Sequence, residues 1–408
     1  MDVHNAFFHG DLEEEVYMRL PPGYQKEDKN KVCRLRKSLY GLKQAPRCWF
    51  SKLSTALLEY GFEQALGDYS LFTYEKNSTC LHILVYVDDL IITGSCEAAT
   101  KQFKEYLSAK FHMKDLGFLK YFLEIEVAMS ASGFYLCQRK YALDIILETR
   151  YLGAKPIAFP FEEKHGLAFN TSTLLEDPKP YRRLLGSLIY LGVARPDLAF
   201  SVHILAQFMQ EPREDHWQAA LRVVKYLKSD PGQGILLRAN TNFEIMGWCD
   251  ADWSRCPYTR RSVTGYFIQF GESPVSWKTR KQKTVSRSSA ESEYRAMADL
   301  VQELKWLKRM LYTLGVRHTQ PMIVLCDSKS AIHIAMNPMF HERTKHIEND
   351  CHFVRDEVVT TNIVLQHVQM TYQLADIFTK PIGRDGFWRF RNKLGIHNLY
   401  APRGDIGV

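Results

Sequence analysis

LHILVYVDDLIITG, residues 81–94, consists of two apolar, strand-like runs flanking a pair of carboxylates. Its simplest reading is a β-hairpin with Asp88 and Asp89 at the tip. Two acids at such a tip are turn chemistry in most proteins. They become a site only if further carboxylates converge on them from other elements.

Outward from the hairpin, residues 1–20 read as the end of a strand, a turn at His9-Gly10-Asp11 and a short acidic stretch, broken by Pro21-Pro22-Gly23. Residues 46–60 form a helix opened by Pro46 and closed by Gly61. Helices follow at 97–110 and 141–150, the second with Leu143, Ile146 and Leu147 on one face. Pro156, Pro160, Pro178 and Pro180 mark 154–180 as a connector. Residues 182–228 are mostly helical; the last helix carries Trp217, Ala220, Leu221 and Val224 at apolar spacing, and Asp230-Pro231-Gly232 turns the chain. From about 240 the texture changes to strand, strand, strand, helix, strand, helix: FEIMGWCDADW, SVTGYFIQF, PVSWKTRKQ, a long helix at 289–314, MIVLCD and SKSAIHIAM.

The chain has 408 residues, enough for two or three domains, and 46% of them are apolar, so it buries cores. A net charge of +7 is compatible with a polyanionic partner. The nine cysteines form no C-x-x-C pair, which reads as reduced, intracellular thiols. No secretory leader is visible at the start, and no apolar run approaches the ~18 residues of a membrane span. No membrane partner is expected.

Nucleotidyl transfer and phosphodiester hydrolysis by two divalent cations both need carboxylates converging from separate elements. Asp2 at a strand end, with Asp88 and Asp89, offers one such set. A second lies in the C-terminal part. Asp250 ends one strand, Asp327 ends another just before a helix, and Asp376 sits in a late helix. Glu291 and Glu293 both open the long helix; Glu293 lies on the stripe of Met297, Leu300, Leu304, Leu307 and Leu311, which favours it, while Glu291 reads as a first-turn acid. Asp350 rivals Asp376. Asp252 reads as a strand-end acid, and His346 and His352 lack a partnered cysteine pair and are not read as ligands. Arg255, Arg260, Arg261, Lys278, Arg280, Lys281, Lys283 and Arg287 bracket this second set with only Glu272 opposing, a pattern suited to phosphate contact. Trp253, Tyr258 and Trp277 lie among them as core or stacking residues.

YVDD (86–89), MDVHNAFFHGDLEEEVYMRLPPGY (1–24) and SLYGLKQAPRCWF (38–50), in that order, resemble the reverse transcriptase of copia-type LTR retrotransposon Pol polyproteins. GWCDADWSRCPYTRRSVTGYFI, VSWKTRKQKTVSRSSAESEYRAMA, LCDSKSAI, FHERTKHIENDCHFVRD and QLADIFTKPI resemble the ribonuclease H of the same family. The resemblance implies metal binding by Asp2, Asp88 and Asp89, with Phe7 selecting deoxynucleotides and Gly41, Lys43 and Pro46 in a template- and nucleotide-positioning motif. It implies Asp250, Glu293, Asp327 and Asp376 as the metal-binding set of the nuclease. Of the basic run around them, Arg260, Arg261, Lys278 and Lys281 are the candidates for substrate contact. LGFLKYFLEIEV (116–127) is similar to the primer-holding hairpin, with Glu124 where the family has glycine.

The expected fold is an α+β palm (antiparallel sheet with helices) and thumb, a helical connection, and an α/β ribonuclease H-like domain with a mixed sheet. The expected boundaries are 1–155 for a truncated palm and thumb, 156–240 for the thumb or connection, 241–385 for the ribonuclease H-like domain and 386–408 for a C-terminal tail. The expected function is RNA-directed DNA polymerisation, crippled by the lack of the family's N-terminal fingers, plus hydrolysis of RNA in hybrids; a non-catalytic relic that at most binds nucleic acid is the alternative. The expected cofactor is Mg2+, with Mn2+ as substitute. Expected partners are RNA template, DNA primer, RNA–DNA hybrid, deoxynucleoside triphosphates and other retroelement proteins. The expected location is an intracellular particle in the cytoplasm, or the nucleus.

Overall fold

Strand amides must find partners on neighbouring strands, so the hairpin at 81–94 demands a sheet around it. The computed structural model describes residues 1–21, 23–24, 31–169, 172–239, 242–337, 348–398 and 400. By contacts the chain divides into two units, one of residues 1–119 with 309–317, the other of 120–308 with 318–408.

The first unit contains β1 (Asp2–Val3), β2 (Asp11–Arg19), β3 (Val32–Lys37), α1 (Ala45–Tyr60), β4 (Glu63–Gln64), β5 (Leu71–Lys76), β6 (Thr79–Tyr86), β7 (Asp89–Gly94), α2 (Glu97–Lys110) and β8 (Met113–Lys114). Six strands form an antiparallel sheet in the order β4-β5-β6-β7-β1-β8. In β6 the side chains alternate, and Leu81, Ile83 and Val85 bury in one cluster with Trp49, Leu53 and Leu57 of α1 and Phe103 and Leu107 of α2. The acidic stretch after Gly10 is itself a strand: β2 pairs with β3 in a separate two-stranded ribbon. It is largely exposed, so it lacks the apolar alternation that marks a strand.

The second unit contains β9 (Tyr121–Phe122), β10 (Ile125–Ser130), β11 (Gly133–Cys137), α3 (Arg139–Glu148), α4 (Lys179–Leu191), α5 (Ala199–Ala206), α6 (Glu214–Ser229), β12 (Gln233–Arg238), β13 (Ile245–Asp252), β14 (Val263–Phe270), β15 (Ser273–Lys281) and, up to residue 308, α7 (Ser289–Thr313). After these come β16 (Met322–Cys326), α8 (Lys329–Met336), α9 (Glu348–Val359), β17 (Ile363–His367), α10 (Asp376–Thr379), α11 (Arg384–Lys393) and β18 (Ile396–Asn398). The mixed sheet runs β15-β14-β13-β16-β17, with β13 antiparallel to β14 and parallel to β16. A second sheet, antiparallel throughout, runs β18-β12-β11-β10-β9. One apolar cluster joins α3–α6 to the mixed sheet through Trp248, Phe267 and Phe378.

The contact division at 119/120 falls ahead of the boundaries expected at 155 and 240, because β9–β11 share a sheet with β12 and β18. Residues 386–398 are not a tail: Phe387, Phe390, Leu394 and Ile396 are buried and β18 pairs with β12. Residues 399 and 401–408 lie outside the described part. In α3 the buried face is Ala142, Ile145 and Ile146, one position off the expected stripe, and Leu147 is exposed.

Candidate active sites

The mixed sheet delivers two carboxylates to one end. β13 and β16 are adjacent and parallel, and Asp250 lies near the end of one while Asp327 follows the other. Asp376 opens α10, and oxygens of Asp250, Asp327 and Asp376 lie within 4.8 Å of one another. Glu293, one turn before Met297 on the buried stripe of α7, reaches the same region: a carboxylate oxygen of Glu293, the Cys326 sulfur and an oxygen of Asp327 also lie within 4.8 Å of one another. One Glu293 oxygen accepts the Ala251 N–H, while its Oε2 is buried without a hydrogen-bond partner among the described residues.

The electrostatics follow from burial. Desolvation first, then the charge of Asp250, pushes Glu293 up to about 10. Burial, then Asp250, pushes Asp376 up to about 7, against the pull of Lys380. Asp327 is raised by the same two causes. Lys380 Nζ bridges the cluster, 3.1 Å from Asp250 Oδ1 and 2.8 Å from Asp376 Oδ1, and the Thr379 hydroxyl donates to Asp250 Oδ2. Among the described residues four acids face one ammonium, which leaves the site short of positive charge, and its hard oxygen donors fit a divalent cation such as magnesium.

Gly265 holds this arrangement together from behind. It faces Asp250 across the β13–β14 ladder. A Cβ there would lie 2.7 Å from both Phe378 Cβ and Thr379 Cγ2 and 3.2 Å from the Ala375 oxygen. Only glycine lets α10 press onto β14 and bring Asp376, Thr379 and Lys380 to Asp250. Neither Gly265 nor the Thr379–Lys380 pair is a candidate on sequence grounds; the one signal is Lys380 standing four residues after Asp376.

The rival residues lie elsewhere. Glu291 is buried but committed: it accepts the Arg287 N–H at 2.8 Å and pairs with Arg295 at 2.9 Å. Asp350, in α9, belongs to neither carboxylate group among the described residues. Asp252 faces Arg255 at 3.4 Å. His352 lies 3.9 Å from Glu348, and His346 lies outside the described residues. Arg260, Arg261 and Lys278 are exposed, whereas Lys281 Nζ lies 3.0 Å from the Cys256 sulfur. Trp253 and Tyr258 are exposed; Trp277 is half-buried, its indole donating to the Gly192 oxygen.

In the first unit Asp2 is the register partner of Asp89, and the Val3 N–H donates to the Asp88 backbone carbonyl at 2.8 Å. The tight turn puts Val87 at φ 53°, left-handed backbone that a β-branched residue rarely adopts. Its carbonyl accepts the buried Trp49 indole N–H at 2.6 Å, which pins the tip. Burial first, then Asp88 and Asp2, raises the Asp89 carboxyl. Asp2, Asp88 and Asp89 do not form a group with ligand atoms within 4.8 Å among the described residues, unlike the second set. Phe7 lies 4.5 Å, ring to ring, from Tyr40, whose hydroxyl is raised by burial and by the charges of Asp88 and Asp2. Gly41 needs its residue type for φ 93°, Lys43 is exposed, and Pro46 sits in the first turn of α1.

Residues 1–163 match the family model described as reverse transcriptase (RNA-dependent DNA polymerase). The retrovirus-related Pol polyprotein from transposon RE2 of Arabidopsis thaliana is 42% identical over 407 residues, covering 100% of this chain and 28% of that protein. Its RE1 counterpart is 41% identical, covering 97% and 27%. The chain thus spans little more than a quarter of these relatives. A transposon Ty5-1 protein of Saccharomyces cerevisiae is 30% identical over 308 residues, covering 74% of this chain and 100% of that protein. Among solved structures, an N-terminal ribonuclease H domain from Mycobacterium tuberculosis aligns at 12% identity over 37% of this chain and 98% of that one, with a TM-score of 0.25, too low to bear on the fold. On the strength of these sequence matches, the chain belongs to the reverse transcriptase family carried by copia-type retrotransposon Pol polyproteins.

Proposed function

We propose that the second unit hydrolyses the RNA strand of RNA–DNA hybrids at Asp250, Glu293, Asp327 and Asp376. The observation that carries the reading is the convergence of Asp250, Asp327 and Asp376 at one end of a mixed sheet, with Glu293 beside them. Magnesium, or manganese in its place, would be held by these four acids; bound there, it supplies charge neutralisation and an acidified water. The chain's own residues do the rest. Lys380 keeps Asp250 and Asp376 together, and Thr379 fixes the second Asp250 oxygen. Arg260, Arg261 and Lys278 reach solvent and suit phosphates, with Lys281 at their edge. Exposed Trp253 and Tyr258 offer flat surfaces to sugars or bases. A hybrid would be told from a DNA duplex by groove shape and 2′-hydroxyls.

RNA-directed DNA polymerisation by the first unit is the companion activity, favoured by Asp2 and Asp89 facing each other across the ladder beside Asp88. In this reading the six-stranded sheet with α1 and α2 is the palm. Phe7, beside Tyr40, screens the ribose, and Gly41 and Lys43 position template and deoxynucleoside triphosphate.

Cleavage of an end-labelled RNA–DNA hybrid with magnesium tests the nuclease. The parent is expected to cut, and Asp327→Asn to cut about a hundredfold more slowly or worse, since one metal-binding charge is gone. A folded parent that binds hybrid but does not cut it would leave nucleic-acid binding as the function.

A further inference from the structure

The group Glu293, Cys326 and Asp327 differs from the all-oxygen group in having a sulfur donor. Cys326 is the last residue of β16 and fully buried. Glu293 is 8% exposed, and among the described residues its Oε2 has no hydrogen-bond partner, so a buried acceptor is left unmatched at the same place. Magnesium shuns sulfur, whereas zinc and cadmium take thiolate together with carboxylate. Zinc–sulfur and zinc–oxygen bonds at a tetrahedral angle put donor atoms about 3.6 Å apart. The three donors here are already within 4.8 Å, so closing on such an ion takes about 1.2 Å at most between the sulfur and either oxygen.

We propose that Glu293, Cys326 and Asp327 form a binding site for a thiophilic divalent cation, of the zinc or cadmium type. As the metal–sulfur bond forms, the Cys326 S–H proton passes to solvent. Cys249, the register partner of Cys326 across β13 and β16 and hydrogen-bonded to it through the side chains, is the neighbouring thiol. Because Glu293 and Asp327 also belong to the proposed hydrolytic set, an ion held here takes two of its acids, and zinc would block hybrid cleavage. Binding itself does not depend on the nuclease reading; only the blocking does.

The experiment titrates the reduced full chain with cadmium, without magnesium, and follows the sulfur-to-cadmium charge-transfer absorbance in the ultraviolet. The expected result is a component of one equivalent that is lost in Cys326→Ser, kept in Cys249→Ser, and weakened about tenfold or more in Glu293→Gln. Thermal melts check that each variant folds; Cys326→Ala replaces the serine variant if serine is not tolerated, and Glu293→Gln leaves the thiol in place in any case. A component that survives loss of the Cys326 thiol, that follows Cys249 instead, or that ignores Glu293→Gln overturns the site. A protein that binds cadmium through Cys326 yet cuts no hybrid keeps this site and loses the nuclease reading.

Discussion

Gly265→Ala separates packing from chemistry in the second unit. The added methyl would sit 2.7 Å from Phe378 Cβ and Thr379 Cγ2, while ordinary contact begins near 3.4 Å and is comfortable toward 4 Å. β14 is held on both sides by β13 and β15, so α10, only four residues long, is what gives, by about 1 Å. Overpacking of this kind costs about 1–3 kcal/mol. In a unit of this size that lowers Tm by about 2–4 °C per kcal/mol. The chemical cost is larger. α10 carries Asp376, and Thr379 and Lys380 tie it to Asp250. A displacement of about 1 Å in a positioned group can cost about a hundredfold in rate. The assay is the initial rate of hybrid cleavage at saturating magnesium, measured well below Tm. Gly186→Ala is the control, since among the described residues nothing beyond its own stretch of α4 lies within 4 Å of the added methyl. A folded Gly265→Ala protein with an unchanged rate would refute the claim that close contact between α10 and β14 builds the site.

The metal-free protein should lose stability as pH rises. Asp376 and Glu293 have folded-state values of about 7 and about 10, both above their unfolded values, so their contribution is complete below about pH 4 and is lost as pH climbs through those values. Tm measured against pH in chelator should fall over that window, and Asp376→Asn should flatten its lower part; a flat profile for the parent would contradict the burial argument. Glu124→Gly should raise Tm: Leu123 and Glu124 form the turn between β9 and β10 at φ 48° and 59°, where glycine avoids about 1–2 kcal/mol of strain and loses roughly half of that to chain entropy. A lower Tm would mean that the Tyr121 hydroxyl bond to Glu124 outweighs the strain. Trp49→Phe removes the donor that satisfies the Val87 carbonyl and should cost about 1–3 kcal/mol, read from the urea midpoint, with primer extension falling alongside if the Asp88-Asp89 tip shifts.

Local pattern carried much of this architecture. The alternation around Asp88-Asp89, the 3.6-residue stripe that singles out Glu293 over Glu291, and the strand-then-helix step at Asp327 are all short-range signals. The structure has each of these elements within a few residues of expectation. What escaped is long-range or polar. β2 is a strand with three successive glutamates, joined to β3 by a ladder that skips them and with no apolar face to announce it. β11, β12 and β18 pair residues 133–137 with 234–238 and 233–235 with 396–398, and nothing within any one window announces such a union. Lys380 is one lysine among many until α10 folds onto β14. The offset face of α3 has the same origin: with two apolar faces available on one helix, the neighbouring helices decide which is buried.

The pairing of β18 with β12 makes the mixed sheet an insertion, spliced between two neighbouring strands of another sheet. Residues 245–393 therefore leave and return to the same edge before that sheet is complete. Severing the chain near residue 240 would yield no pair of independent pieces: one would lack its last strand and the other would carry it unpaired. The two sheets should accordingly melt in a single cooperative step and acquire hydrogen-exchange protection together, at a pace set by a contact of very long sequence separation.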